Sequence, residues 1–265
     1  MFKQRLLTTL VLVPLVLLAI YYGNKWLLGS VVLLLIIIAG WEWLQLIPVS
    51  RVANKLIFIL ALLVATWASV YWLNYWLAAG LVIWGGILVA VLTYPGSQKY
   101  WGNPVIVGAA GLLLLPLLGS CLAALHQRSH GSDLIVYLLC LVWAADIGAY
   151  LAGKCWGRHK LIPRVSPGKT VEGMMGGFLL TMLVAFVAYW YFRPVYSFLW
   201  FVIAAGIMLI SLLGDLFISM LKRRRNLKDT GQIFPGHGGV LDRLDSLIAA
   251  LPLFYLGLHF MLPGL

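Results

Sequence analysis

Asp215, Ser219 and Lys222 stand four and three residues apart, a spacing that places them on one face of a helix. They open a segment, GDLFISMLKRRRNLKDTGQIFPGHGGVLDRLDS, that runs from Gly214 to Ser246. It holds four of the chain's eight acidic residues and six of its nineteen Lys and Arg residues. Asp242 and Asp245, three apart, share a face near the start of the next helix. Carboxylates gathered at a low-dielectric boundary repel one another, and a hard divalent cation relieves that repulsion. Mg²⁺ takes oxygens from one or two carboxylates and completes its shell with water and substrate phosphates. Lys222, Arg223, Lys228 and Arg243 supply cations beside it. In Gly236-His237-Gly238-Gly239 the glycines let backbone N–H groups converge on an anion, and His237 adds a donor. The chemistry these residues suit is metal-assisted handling of a polyphosphate.

Each feature also has a plainer reading. A basic run at the end of an apolar span follows from membrane topology alone, and an Asp at a helix start is often a cap. Topology accounts for the cations but asks for no carboxylates, so the conjunction points to function.

A second polar segment lies upstream. Lys154, Arg158, Lys160 and Arg164 precede Val165-Ser166-Pro167-Gly168-Lys169-Thr170-Val171-Glu172-Gly173. Ser166 reads as an N-cap with Pro167 as the first helical residue. A helix N-terminus carrying Lys169 and Thr170 is also an anion site; for Ser166 the capping and binding readings are equally weighted. Asp146, in WAADIGAYLAGK, falls about 10 Å inside the end of its span by helical rise. It either bonds to a neighbouring helix or joins the metal site as a fourth acid. Glu42, flanked by Trp41 and Trp43, reads as structural or substrate-lining. His126, His130, His159 and His259 lack metal spacing, as do Cys121, Cys140 and Cys155; the cysteines are read as packing residues.

The elements that must position these groups are membrane spans. The chain is 63% hydrophobic and 10% charged over 265 residues, a composition foreign to soluble domains. Runs of about 17–25 apolar residues suffice to cross a bilayer. Nine recur: 6–22, 26–47, 54–73, 75–93, 104–125, 133–153, 173–192, 196–218 and 244–262, with the cut near Tyr71 to Trp76 the least defined. The expectation is an all-α polytopic membrane protein with one domain. Residues 1–130 are its N-terminal helices and 131–265 its catalytic half, with polar loops at 154–172 and 219–243. The first apolar run lacks a small-residue cleavage site and is kept as a span. With the N-terminus cytoplasmic, sixteen of the nineteen Lys and Arg residues fall inside. The two polar loops, two spans apart, share a side. The net charge of +11 is therefore mainly a topology signal, and no soluble basic module exists to bind nucleic acid. Alternating strands are absent, which excludes an outer-membrane barrel.

Ser219-x-x-Lys222-Arg223-x4-Lys228-Asp229-x-Gly231-x2-Phe234-Pro235-x-His237-Gly238-Gly239-Val240-x-Asp242-Arg243-Leu244-Asp245 resembles the signature of the phosphatidate cytidylyltransferases, also called CDP-diacylglycerol synthases. It fills every fixed position over 27 residues. SPGKTVEG and WAADIGAY resemble the bacterial members. Within the free positions, Arg224-Arg225-Asn226 is unusually basic. The resemblance implies that CTP and phosphatidate give CDP-diacylglycerol and pyrophosphate with Mg²⁺, in phospholipid biosynthesis at the bacterial cytoplasmic membrane, the site facing the cytoplasm. It implies Asp215, Asp242 and Asp245, with Asp146 as a further candidate, as the metal set, and Lys222 as catalytic. Ser166, Lys169, Thr170, Ser219, Arg223, Lys228, Asp229, His237, Gly238, Gly239 and Arg243 become substrate-binding. A second, monovalent cation and a homodimer are further candidates. The rival enzyme is a CTP-dependent membrane lipid kinase. The rival of another class, an ion-coupled transporter, expects mid-membrane acids and paired repeats, and neither is visible.

Overall fold

The computed structural model describes residues 2–233 and 238–261, the side chains of 2–9 and 261 excepted. Nine long helices run through it: α1 (Phe2–Tyr22), α2 (Lys25–Trp43), α3 (Val52–Tyr71), α4 (Leu73–Leu92), α6 (Pro104–His126), α7 (Gly131–Trp156), α8 (Val171–Phe192), α9 (Ser197–Arg224) and α10 (Leu241–Met261). Each overlaps one of the nine expected apolar runs. A short α5 (Gln98–Trp101) and a 3-10 turn at Leu44–Leu46 were not expected from sequence. The ill-defined cut falls at a single residue, Trp72. Among the described residues, seven helices, α2 to α4 and α6 to α9, are long and apolar enough to cross a membrane. The remaining two are α1, whose first side chains are not described, and α10, whose first turns carry Asp242, Arg243 and Asp245.

Helix starts follow local chemistry. Asn24 caps α2 by accepting from the N–H groups of Trp26 and Leu27, and Asn103, followed by Pro104, caps α6 by accepting from Val105. Helices α6 and α9 form the centre. The first packs against α2, α3, α4, α7 and α10, and the second against α4, α7, α8 and α10. Several buried polar groups are paired between helices: Trp43 Nε1 donates to the Val107 carbonyl, Trp200 Nε1 to that of Ala185, and the Ser69 and Ser120 hydroxyls pair across α3 and α6. At the periphery, α3 turns Leu56, Leu60, Val64, Trp67 and Tyr71 outward. This stripe has the helical repeat, and a surface of that kind belongs against hydrocarbon.

Helices α7 and α8 approach most closely. Ala145, Gly148, Ala149 and Ala152 on one face Gly173, Gly176 and Gly177 on the other, and a Cβ on Gly148 would meet the Gly176 carbonyl. Small residues at helical spacing let two backbones touch where no hydrophobic effect drives helices together. At the end of α7 far from the polar segments, Asp133 accepts from Tyr21 of α1 at 2.8 Å and from Tyr191 of α8 at 3.0 Å. That clamp ties α7 and α8 to each other and to α1 at the other end.

Between α7 and α8 the chain forms a small hairpin, β1 (Lys160–Ile162) and β2 (Ser166–Thr170), paired antiparallel. This corrects the expectation of a helix starting at Ser166-Pro167. Ser166 opens a strand, a position where Pro167's missing donor is tolerated. The cap is Thr170, whose hydroxyl accepts from the Gly173 N–H at 3.1 Å. Glu172, in the first turn of α8, accepts from the backbone N–H groups of Arg158 and His159 and pairs with the His159 ring. The extended stretch is held because cross-strand pairing satisfies its backbone groups and Glu172 anchors the chain leaving α7 at the start of α8.

Gly176→Ala places a methyl against Ala152 and should lower stability by about 1–3 kcal/mol, whereas Gly86→Ala, with open space around it, should be neutral or better. Thermal unfolding of the detergent-solubilised variants checks this, and equal midpoints would remove the close α7–α8 contact as a stability determinant.

Candidate functional site

Helix α9 continues to Arg224, past the expected end at residue 218. Asp215, Ser219, Lys222 and Arg223 therefore all ride on one continuous helix. The Ser219 hydroxyl donates to Asp215 Oδ1 at 3.2 Å, so the one-face spacing is realised. Lys222, Arg223 and Arg224 occupy the last turn, where the helix dipole favours cations.

The hairpin delivers the second wall. Lys169 forms an ion pair with Asp215 Oδ2 at 2.5 Å, both side chains about three-quarters covered. Arg223 Nε donates to the Val165 carbonyl at 3.4 Å. Thr170 is buried in its capping role, whereas Ser166 is partly exposed on the strand. Segments about fifty residues apart in sequence thus meet at Asp215.

The third wall is the connection from α9 to α10. Asp242 is buried, and both its oxygens are engaged. Oδ1 accepts from Lys222 Nζ at 2.8 Å; Oδ2 accepts from the N–H groups of Thr230 at 2.8 Å and Gly239 at 3.0 Å. A metal at Oδ1 would have to displace Lys222. Glu42 does a parallel job from the opposite end of the sequence. Only 2% exposed, it accepts from Val240 N–H at 3.0 Å, Leu241 N–H at 2.7 Å and the Thr230 hydroxyl at 3.4 Å. Backbone donors at a helix N-terminus are what a buried carboxylate needs. Gly239 lies directly on the Glu42 carboxylate, where a Cβ would collide with it, and Gly238 adopts a left-handed backbone with φ +82°. Both positions require glycine. From sequence, Glu42 reads as structural or substrate-lining, and Thr230 carries no signal. The only signal was an acid inside an apolar span, and its partners lie about two hundred residues away. Phe234, Pro235, Gly236 and His237 lie outside the described residues. Lys228 and Asp229 are exposed, with Asp229 beside Gly238.

Asp146 on α7, Asp215 on α9 and Asp245 on α10 converge where these helices meet. Asp245 interacts electrostatically with both of the others and with Lys222, and Asp146 with Asp215, Lys169 and Arg243. Asp245 Oδ1 also accepts from the Ser246 N–H at 2.8 Å. Asp242 and Asp245 thus part company: one faces the loop, the other faces Asp215. Among the described residues, no three acidic, imidazole or thiol side chains close tightly enough to cage an ion by themselves. The set nevertheless fits Mg²⁺, which keeps several waters and takes only one or two carboxylates beside substrate phosphates. Its donors are all oxygen, as a hard cation requires. His159 pairs with Glu172, and His259 lies against Arg128, so neither joins the cluster.

The model of the cytidylyltransferase family matches residues 3–261. The phosphatidate cytidylyltransferase of Haemophilus influenzae is 36% identical over 289 residues, covering 96% of this chain and 97% of that protein. That of Pseudomonas aeruginosa is 38% identical over 264 residues, covering 96% of each. That of Rickettsia bellii is 40% identical over 176 residues, 64% of this chain and 76% of its own.

Glu42→Ala leaves buried N–H groups without acceptors, an effect of about 1–3 kcal/mol. Hydrogen exchange should speed up at the amides of Thr230 and Gly239 to Leu241 while the α7–α8 amides stay protected. Unchanged exchange at Val240 and Leu241 would show that Glu42 does not hold this loop.

Proposed function

The chain belongs to the cytidylyltransferase family, and from that membership and the geometry above we infer how it works. The enzyme is a nucleotidyltransferase of the membrane. It transfers the cytidylyl group of CTP to phosphatidate, giving CDP-diacylglycerol and pyrophosphate. The observation that supports placing the reaction at the α7–α9–α10 junction is the meeting of Asp146, Asp215 and Asp245 with Lys169 and Lys222 at the end of the bundle. One substrate is water-soluble and the other is anchored by its acyl chains, so a site at the membrane surface suits both. We read that surface as the cytoplasmic face of a bacterial inner membrane, in keeping with the positive-inside bias.

The attacking group is a phosphate oxygen of phosphatidate. It forms a bond to the α-phosphorus of CTP as the bond to the β,γ-pyrophosphate breaks. That oxygen is already ionised near neutral pH, so no strong general base is required. The work of the chain is to neutralise two anions and to align them in line. Lys169, paired with Asp215, and Lys222, paired with Asp242, bind phosphate oxygens; Arg223, Lys228 and Arg243 extend that field. Ser219 orients Asp215. Asp146, Asp215 and Asp245 would hold Mg²⁺. When bound, the ion supplies charge stabilisation to the departing pyrophosphate. Asp242 and Glu42 act one step back: they hold the Thr230–Leu241 loop and, through Asp242, the Lys222 ammonium. Asp242 thereby takes a positioning role in place of the ligand role expected from its spacing.

Asp215→Asn and Asp245→Asn should each lower turnover at least a hundredfold with membrane insertion intact, consistent with lost transition-state charge stabilisation. Pyrophosphate release in proteoliposomes containing phosphatidate reads this, and near-normal rates would refute the carboxylate assignment. CTP labelled at the α-phosphorus should pass its label to lipid, and γ-labelled CTP should not; the reverse pattern would mark a lipid kinase. Chelation of Mg²⁺ should stop the reaction, and its re-addition should restore it.

A further inference from the structure

A cleft of about 600 Å³ opens between the end of α2, the start of α3 and the end of α9. Its lining includes Trp41, Gln45, Ser50, Lys55, Arg225 and Leu227, and no acidic side chain. None of the residues gathered at Asp215 and Asp245 line it. Two cations face it. Lys55 Nζ sits 5.7 Å from the Trp41 ring centroid, and Arg225 Nε donates to the Gln45 carbonyl at a long 3.4 Å. Arg224, which does not itself line the cleft, adds positive charge next to Arg225. Arg224 and Arg225 occupy free positions of the signature, so the shared reaction does not account for them.

The surroundings select the kind of anion. The lining sets apolar side chains such as Leu44, Ile47 and Val49 beside the two cations, and next to it Val52 and Leu56 are exposed on α3. A ligand with phosphate at one end and acyl chains at the other matches that division. We propose that this cleft binds the headgroup of an anionic glycerophospholipid, its phosphate held by Lys55 and Arg225 and its chains lying against α2 and α3, at a site separate from the carboxylate cluster. The residues that follow Glu42 form one wall, and those that precede Thr230 form another. The lipid therefore sits on the outer side of the loop that Glu42 holds.

The test uses the full chain purified in detergent and native mass spectrometry with three probes: phosphatidylglycerol, phosphatidylcholine of the same acyl chains, and inorganic phosphate. Phosphatidylglycerol should be retained about tenfold better than phosphatidylcholine, in line with two cations near a membrane surface. The preference should collapse in K55Q/R225Q and survive in R225K. Ser50→Trp, which fills the mouth of the cleft without altering charge, should also abolish it and stands in if the double variant does not fold. Equal retention of both lipids by the parent chain, or an undiminished preference in these variants, would overturn the proposal. So would inorganic phosphate competing as well as the lipid, since the site would then be one for free anions. A KM for phosphatidate that rises in step with the lost binding would identify the cleft as the substrate's own and overturn its separateness.

Discussion

A single carboxylate on α2 organises the polar end of a chain otherwise built from hydrocarbon. Glu42 is buried among backbone N–H groups of Val240 and Leu241 and the Thr230 hydroxyl, almost two hundred residues further on. A buried acid in such a place is tolerated only because those donors replace water. The arrangement is reciprocal. The start of α10 needs acceptors for its first N–H groups, and Glu42 needs donors. Gly231 and Gly239 leave room for the contact, since a Cβ at either would strike the carboxylate. Asp242 repeats the device from inside the loop and adds Lys222 to it. The loop between α9 and α10 is thereby tied to both the first and the last part of the chain.

On that frame the remaining polar groups acquire places. The hairpin between α7 and α8 brings Lys169 to Asp215, and it can do so because α7 and α8 run in near contact along their glycine faces. A larger residue along that seam would move the base of the hairpin. Asp133, clamped by Tyr21 and Tyr191 at the other end of α7, fixes the same helices from the far side. The two ends of α7 divide the labour: one is a structural tie, the other carries Asp146 toward the shared site.

The two carboxylates at the start of α10 illustrate how similar residues separate in role. Asp242 and Asp245 share a helical face by spacing, yet a residue in the first turn meets the loop and one a turn later meets α9. Hydrogen bonds saturate Asp242, whereas Asp245 retains the company of Asp146 and Asp215. That difference favours a metal-facing role for the second and a positioning role for the first.

Much of this was legible in the residues. Each of the nine apolar runs overlaps a helix among the described residues, because a backbone in hydrocarbon must satisfy its polar groups within its own segment. The Asp215–Ser219 pairing followed from a four-residue spacing, and the signature from Ser219 to Asp245 carried the family. What the sequence could not decide was anything that depends on partners far away in the chain. Ser166-Pro167 has the pattern of a helix start, but strand pairing with residues 160–162 and the Glu172 contacts at Arg158 and His159 overrode it. Spacing joined Asp242 to Asp245, and only the packed loop separated them. Glu42 was one acid in an apolar run; its meaning lies in N–H groups that tertiary packing alone brings within reach. Periodicity reports how a residue sits on its own helix, whereas the use of a buried charge is set by what the rest of the fold places against it.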